Sequence, residues 1–221
     1  MLELAVADFA ELRRRMVERQ LRSRGIRDQR VLAAMAEIPR ELFVPDDQRA
    51  RAYEDEPVPI GFGQTISQPY MVALMAQALE LRGSERVLEV GAGSGYHAAV
   101  LGALAREVIA LEVVPELVLR AQQNLEKAGR GQNVRVIWAD GSQGYPELSP
   151  YDAISVAAAA PEIPAALLAQ LADPGRMVIP VGSGWDQELR LVCKREGRIT
   201  QRIVTFCRFV PLRSGGGLTQ Q

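Results

Sequence analysis

The chain has 221 residues, 48% hydrophobic and 24% charged, which suits one sizeable α/β domain and is marginal for two. Its 26 basic and 27 acidic residues leave a formal net charge of −1, without the basic excess of a nucleic-acid binder. One histidine and two cysteines, Cys193 and Cys207, offer no metal-ligand spacing, so no metal site is expected. The cysteines read as free buried thiols of a reducing compartment. No apolar run reaches the roughly 18 residues of a membrane span, and the N-terminus lacks a secretory pattern, so a soluble cytoplasmic protein that binds no membrane is expected.

Residues 8–50 are predicted helical from Leu12, Met16, Val17 and Leu21, then Val31, Leu32 and Met35, with Pro39 and Pro45 closing the stretch. The arginines between Arg13 and Arg30 are interleaved with Glu18 and Asp28 and read as a solvated helix face. Residues 54–69 lack helical period and carry Pro57, Pro59, Gly61, Gly63 and Pro69, which predicts a loop with extended pieces. A helix follows over 70–81, with Met71, Leu74, Met75, Ala78 and Leu79 on its apolar face.

Strand and helix then alternate. Strands are predicted over 86–90, 107–111, 134–138, 151–156 and 177–181, and helices over 96–105, 115–128 and 162–171. Residues 188–194 and 199–209 read as a β-hairpin across Glu196-Gly197. Such alternation predicts an α/β fold with a doubly wound, mostly parallel sheet that binds its ligand at the carboxyl ends of the strands. One domain over 1–212 is expected, with N-terminal helices and a substrate loop (8–82), a cofactor-binding core (83–182) and a C-terminal hairpin (183–212). A flexible tail of 213–221 follows.

The first strand of the core ends in Glu89-Val90-Gly91-Ala92-Gly93-Ser94-Gly95. Glycines allow a sharp strand-to-helix turn and close approach of a ligand. The spacing is G-x-G-x-G, not the dinucleotide G-x-G-x-x-G. Glu112, 21 residues beyond Gly91, ends the second strand and suits both hydroxyls of a ribose, a need shared by NAD and S-adenosylmethionine. Asp140-Gly141 follows the third strand, an acid for an adenine amino group and a glycine leaving room for the ring. Three strand-end acids suit a sulfonium and an ammonium better than a pyrophosphate. This favours S-adenosylmethionine, with NAD the competing cofactor and ordinary solvated strand-end acids the plain alternative.

The segment Gly61-Phe62-Gly63-Gln64-Thr65-Ile66-Ser67-Gln68-Pro69-Tyr70 lies outside that core. It resembles the signature of the protein-L-isoaspartate O-methyltransferase family. So do Glu18-Arg19-Gln20-Leu21, Met35-Ala36-Glu37-Ile38-Pro39-Arg40, the glycine turn, Asp140-Gly141-Ser142, Pro150-Tyr151-Asp152-Ala153-Ile154 and Arg208-Phe209-Val210-Pro211-Leu212. The resemblance runs through residues 10–212 in unbroken order. It implies the Rossmann-like sheet of class I S-adenosylmethionine-dependent methyltransferases and S-adenosyl-L-methionine as cofactor. It implies methyl esterification of L-isoaspartyl, and less well D-aspartyl, residues in damaged proteins and peptides, initiating repair through a succinimide.

The resemblance places Ser67 and Thr65 at the catalytic site. With the glycine turn, it gives a candidate cofactor set of Ile66, Glu89, Gly91, Ala92, Gly93, Ser94, Gly95, Glu112, Val113, Asp140 and Gly141. Two positions depart from the family pattern: Ala92 replaces a threonine or cysteine, and Ala157 stands where threonine is frequent, so Ala157 is given no role. A monomer acting on isoaspartyl proteins and peptides is expected.

The chemistry agrees. A carboxylate is ionised at pH 7 and needs no general base, so polar donors that align it suffice. From the residues alone Ser67, just before the Gln68-Pro69-Tyr70 helix start, is equally a helix cap or a substrate donor. His97 reads as cofactor-side lining or simply a helix residue. Amine methyltransferases often carry an Asn/Asp-Pro-Pro-Tyr/Phe motif after the fourth strand, and here that position reads Ala157-Ala158-Ala159-Ala160-Pro161. A non-catalytic binder that uses the fold only for docking remains a third alternative.

Overall fold

The computed structural model describes residues 8–184 and 186–213. The Ser214-Gly215-Gly216-Gly217 run expected to fray lies outside the described residues.

The helical stretch of 8–50 is present in pieces. Helix α1 (Phe9–Met16) is capped by Asp8, whose side chain accepts from Glu11 N. It runs on as a π turn and a 3-10 turn until Gly25, at φ +93°, ends it. Helix α2 (Gln29–Glu37) is capped by Asp28 and stopped by the extended Ile38 that precedes Pro39. Two 3-10 turns follow, Arg40–Phe43 and Asp46–Arg51. The expected loop of 54–69 contains an antiparallel pair, β1 (Val58–Gly61) and β2 (Gln64–Ile66), turning through Phe62 and Gly63 at positive φ. Helix α3 (Pro69–Leu79) starts with proline in its first turn.

The main sheet holds seven strands among the described residues, in the order β5-β4-β3-β6-β7-β8-β9. Strands β3 (Arg86–Val90), β4 (Glu107–Glu112), β5 (Val134–Trp138), β6 (Tyr151–Val156) and β7 (Leu171–Ser183) are parallel. Strands β8 (Asp186–Arg195) and β9 (Arg198–Cys207) add antiparallel at the end, joined through Glu196 and Gly197 at positive φ. Helix α6 is Ala165–Gln170, shorter than the predicted 162–171 because Pro161 and Pro164 keep its approach extended. Strand β7 starts six residues before the predicted Met177, and a shift in its register with β6 takes up the Asp173-Pro174-Gly175 stretch.

The chain runs outward from β3 to β5 and then returns to lay β6 on the other side of β3. Right-handed crossovers therefore place α4 (Tyr96–Leu104) and α5 (Pro115–Lys127) on one face and α6 on the other. The α4 face also receives α2 and α3, and its core includes Val87, Ala110 and Ala153; the α6 face buries Leu88, Val90 and Ile154. Strands covered on both faces read as unbroken apolar runs, which is why they were legible. The reversal of direction at β3 opens a crevice at its carboxyl end.

Candidate functional site

That crevice is a cleft lined jointly by the strand ends of the main sheet, the β1–β2 hairpin and the chain after β9. One wall is the glycine turn (91–94), where β3 gives way to α4; Glu112 and Val113 at the end of β4 and Ala139 and Gly141 after β5 extend it. The opposite wall is the end of the β1–β2 hairpin, residues 64–67. Residues 210–213 close the side.

Glu112 organises the cofactor wall. One carboxylate oxygen accepts from Gly93 N at 2.8 Å, and the other from Val113 N at 2.8 Å and Val114 N at 3.0 Å. A carboxylate offers about four acceptor sites, so about one is left for a ligand hydroxyl. From behind, Asn124 of α5 donates to Ser94 O at 3.0 Å and steadies the same turn. Gly141 lies flush against β3: a Cβ there would sit 2.4 Å from Val90 Cγ1. Asp140 does not line the cleft; its carboxylate accepts from Ser142 N and caps a short turn.

Gly95 also lies outside the lining. It sits at φ +87° as the N-cap of α4, and a Cβ there would come within 3.2 Å of the Ala121 carbonyl oxygen. Its smallness brings α4 against α5, and that contact sets where the cofactor wall stands.

Glu89 is wholly buried beneath the cleft, on the α4 side of β3, and both its oxygens lack hydrogen-bond partners. Burial, and then the Glu112 carboxylate, hold its carboxyl well above the usual carboxylate range. His97 Nδ1 stands 3.5 Å from Glu89 Oε1, and burial pulls this imidazole down to about 4. His97 is neutral at pH 7, so its contact with Glu89 is not an ion pair. Ser155, beside Glu89 across β3–β6, likewise has no partner for its hydroxyl. A folded-state pKa raised above the unfolded value gives stability that is full below about 4.5 and lost as pH rises toward the folded pKa. Glu89→Gln is therefore expected to match the wild type near pH 4.5 and to gain on it by about 1.4 kcal/mol per pH unit until Glu89 ionises in the folded state. Urea denaturation of both proteins at pH 5, 6.5 and 8 checks this, since the titration of His97 is common to both. A difference that does not change with pH would contradict it.

Ser67 is half-buried on the hairpin wall. It does not cap α3: Gln68 holds the N-cap position, without a side-chain hydrogen bond. The Ser67 carbonyl is held by Arg40, which donates from Nη2 at 2.8 Å. Thr65 is exposed at the same wall, and Ile66 is buried with its edge on the cleft.

Sequence reasoning gave no site role to Arg40, Tyr96 or the wall of residues 210–213, although Arg40 and residues 210–212 fall in segments that carry the family resemblance. That wall returns from β9 and is pinned by Val210 O accepting from Ala159 N at 2.8 Å and Leu212 N donating to Ala159 O at 2.7 Å. The Gln187 side chain grips both backbone groups of Phe209.

A family model described as Protein-L-isoaspartate(D-aspartate) O-methyltransferase (PCMT) matches residues 12–217. The chain is 53% identical to a Protein-L-isoaspartate O-methyltransferase of Hyperthermus butylicus, over 92% of this chain and 89% of that one. It is 55% identical to Protein-L-isoaspartate O-methyltransferase 2 of Marinobacter nauticus, over 93% and 94%. A Plasmodium falciparum protein-L-isoaspartate O-methyltransferase, solved with S-adenosyl-L-homocysteine, superposes with a TM-score of 0.77 at 31% identity, covering 91% of this chain and 98% of that one. A match to the family model from residue 12 to 217, with relatives above half identity over nine-tenths of its length, places this chain in the protein-L-isoaspartate(D-aspartate) O-methyltransferase family.

Proposed function

We propose that this protein esterifies the free α-carboxylate of L-isoaspartyl, and less well D-aspartyl, residues in damaged proteins and peptides, using S-adenosyl-L-methionine. The observation that carries this reading is one cleft faced on one side by the glycine turn with Glu112, and on the other by residues 64–67. The family's substrate is recognised by a carboxylate, and a methyl donor requires the ribose and adenine surfaces that the first wall offers.

The residues present fit the cofactor. Glu112 keeps an acceptor site beyond its three backbone partners, and Gly141 leaves a flat surface. Ile66, Gly91, Ala92, Gly93, Ser94 and Val113 line the space it would fill, while Glu89, Gly95 and Asp140 support that lining from outside it. When bound, the cofactor supplies an electrophilic methyl group on a sulfonium.

The acceptor carboxylate is ionised at neutral pH and needs no proton removed. That matches a cleft whose imidazole, His97, is held neutral and is a poor base near pH 7. The protein's work is alignment. Ser67 and Thr65 donate to the carboxylate and set its line of approach, and such positioning contributes up to roughly 7–11 kcal/mol. Hydrolysis of the succinimide formed from the ester returns part of the damaged residue to normal aspartate.

We further read the protein as a cytoplasmic monomer. Its two cysteines are unpaired, no helix among the described residues is long and apolar enough to cross a membrane, and a single chain supplies every wall of the cleft. The decisive assay uses methyl-labelled S-adenosylmethionine and two peptides that differ only in aspartyl against isoaspartyl linkage. Label is expected in the isoaspartyl peptide alone; equal labelling of both, or of neither, overturns the reading.

A further inference from the structure

Arg40 opens the first 3-10 turn after α2 and is completely buried. Its Nε donates to Ala52 O at 2.6 Å and its Nη2 to Ser67 O at 2.8 Å, while Nη1 has no partner. The guanidinium lies over the ring of Tyr96, 4.7 Å from its centroid. Among the described residues no carboxylate forms an ion pair with it. An arginine stays protonated even when desolvated, so this is a buried cation held by carbonyl dipoles and a ring face. Burying a charge with no carboxylate paired to it, only the Asp55 carboxylate attracting it from farther off, costs several kcal/mol, and a neutral side chain would brace a turn without that cost.

What the planar fork supplies is a junction. It ties the stretch before β1 (Ala52), the end of β2 (Ser67) and the first residue of α4 (Tyr96) to one rigid group. Tyr96 lines the cleft directly behind the glycine turn, and Ser67 lines the facing wall. Among the described residues the Ser67 carbonyl accepts only from Arg40, while its neighbours are held by the hairpin (Ile66 with Val58) and by the start of α3 (Gln68 O with Met71 N and Val72 N). We propose that Arg40 is a positioning residue for methyl transfer, fixing the Ser67 main chain to the start of α4 and thereby setting the spacing between the acceptor-holding wall and the cofactor wall. This rests on the reading that Ser67 holds the acceptor carboxylate.

Arg40→Lys keeps the charge but cannot donate in two fixed directions while covering the ring. Arg40→Gln removes the unpaired buried charge and keeps a donor, which guards against a variant that fails to fold. Each full-length variant is titrated with S-adenosyl-L-homocysteine, and steady-state rates on an isoaspartyl peptide are counted per cofactor-binding site. Expected are a homocysteine-cofactor Kd within about twofold of wild type and a kcat per site about 20-fold lower, short of the about 100-fold that a 1 Å misplacement can cost. Placed in a Ser67→Ala background, Arg40→Lys is expected to cost no more than about a further twofold, because the two act as one unit.

A purely structural arginine would lower Tm and the fraction of sites that bind, and leave kcat per site unchanged; that result overturns the proposal. Loss of cofactor binding in both variants also overturns it. Loss of turnover in Ser67→Ala with full turnover in Arg40→Lys refutes only this inference. Full turnover in Ser67→Ala refutes the reading of Ser67, and the inference with it.

Discussion

Glu112→Gln is expected to weaken S-adenosyl-L-homocysteine binding about 50-fold and to lower stability as well. The substitution looks conservative and is not. The carboxylate accepts from Gly93 N with one oxygen and from Val113 N and Val114 N with the other. An amide has one acceptor end and one donor end. Turned either way, its NH2 faces at least one backbone N–H, and that donor loses its partner. An unsatisfied buried donor costs roughly 1–3 kcal/mol, and a lost hydrogen bond to a charged acceptor a further 1.5–3 kcal/mol. The first cost falls on the free and the bound protein alike and lowers stability; the second is lost on binding and corresponds to about one to two powers of ten in affinity. Calorimetric titration measures it directly. An affinity within about tenfold of wild type would mean that Glu112 serves the glycine turn alone and contributes no ligand contact.

Ser67→Ala is expected to do the opposite: turnover on an isoaspartyl peptide falls by about 100-fold while cofactor affinity stays within about twofold. The magnitude follows from removing one hydrogen bond to a charged group, worth about 1.5–3 kcal/mol. Among the described residues the Ser67 hydroxyl makes no hydrogen bond and caps no helix, so its loss should leave Tm unchanged. The split between kcat and cofactor Kd separates this role from that of Glu112. Collapse of cofactor binding in Ser67→Ala would place the side chain on the wrong side of the cleft.

The parallel strands were legible because each is covered on both faces, and the helices between them because α5 (Pro115–Lys127) alternates apolar and polar residues at helical spacing. Strand ends follow from strand positions, so Glu112, Val113 and Gly141 were legible as neighbours in space although they are far apart in sequence. The β1–β2 hairpin was not, since strands of four and three residues that pair only with each other carry too little alternation to register. Nor did its turn announce itself, because Phe62 adopts positive φ without being a glycine.

Glu89 shows a subtler limit. The motif placed it beside the glycines, whereas strand parity sends its side chain to the same face as Val87, under α4 and away from the cleft. Arg40 carries no local signal, because its meaning comes from carbonyls 12 and 27 residues away that only the fold brings together.

The wall of residues 210–213 has a consequence for the timing of assembly. It docks through Ala159 and Gln187 and faces residues 64–67, some 145 positions earlier in the chain. Contacts of such separation form late in folding, after the loops between them have closed. During synthesis the parallel core is made first, and the cleft stays open on one side until residue 213 has left the ribosome. A growing chain thus carries the glycine turn and Ser67 before it carries the residues that line the last side of the cleft.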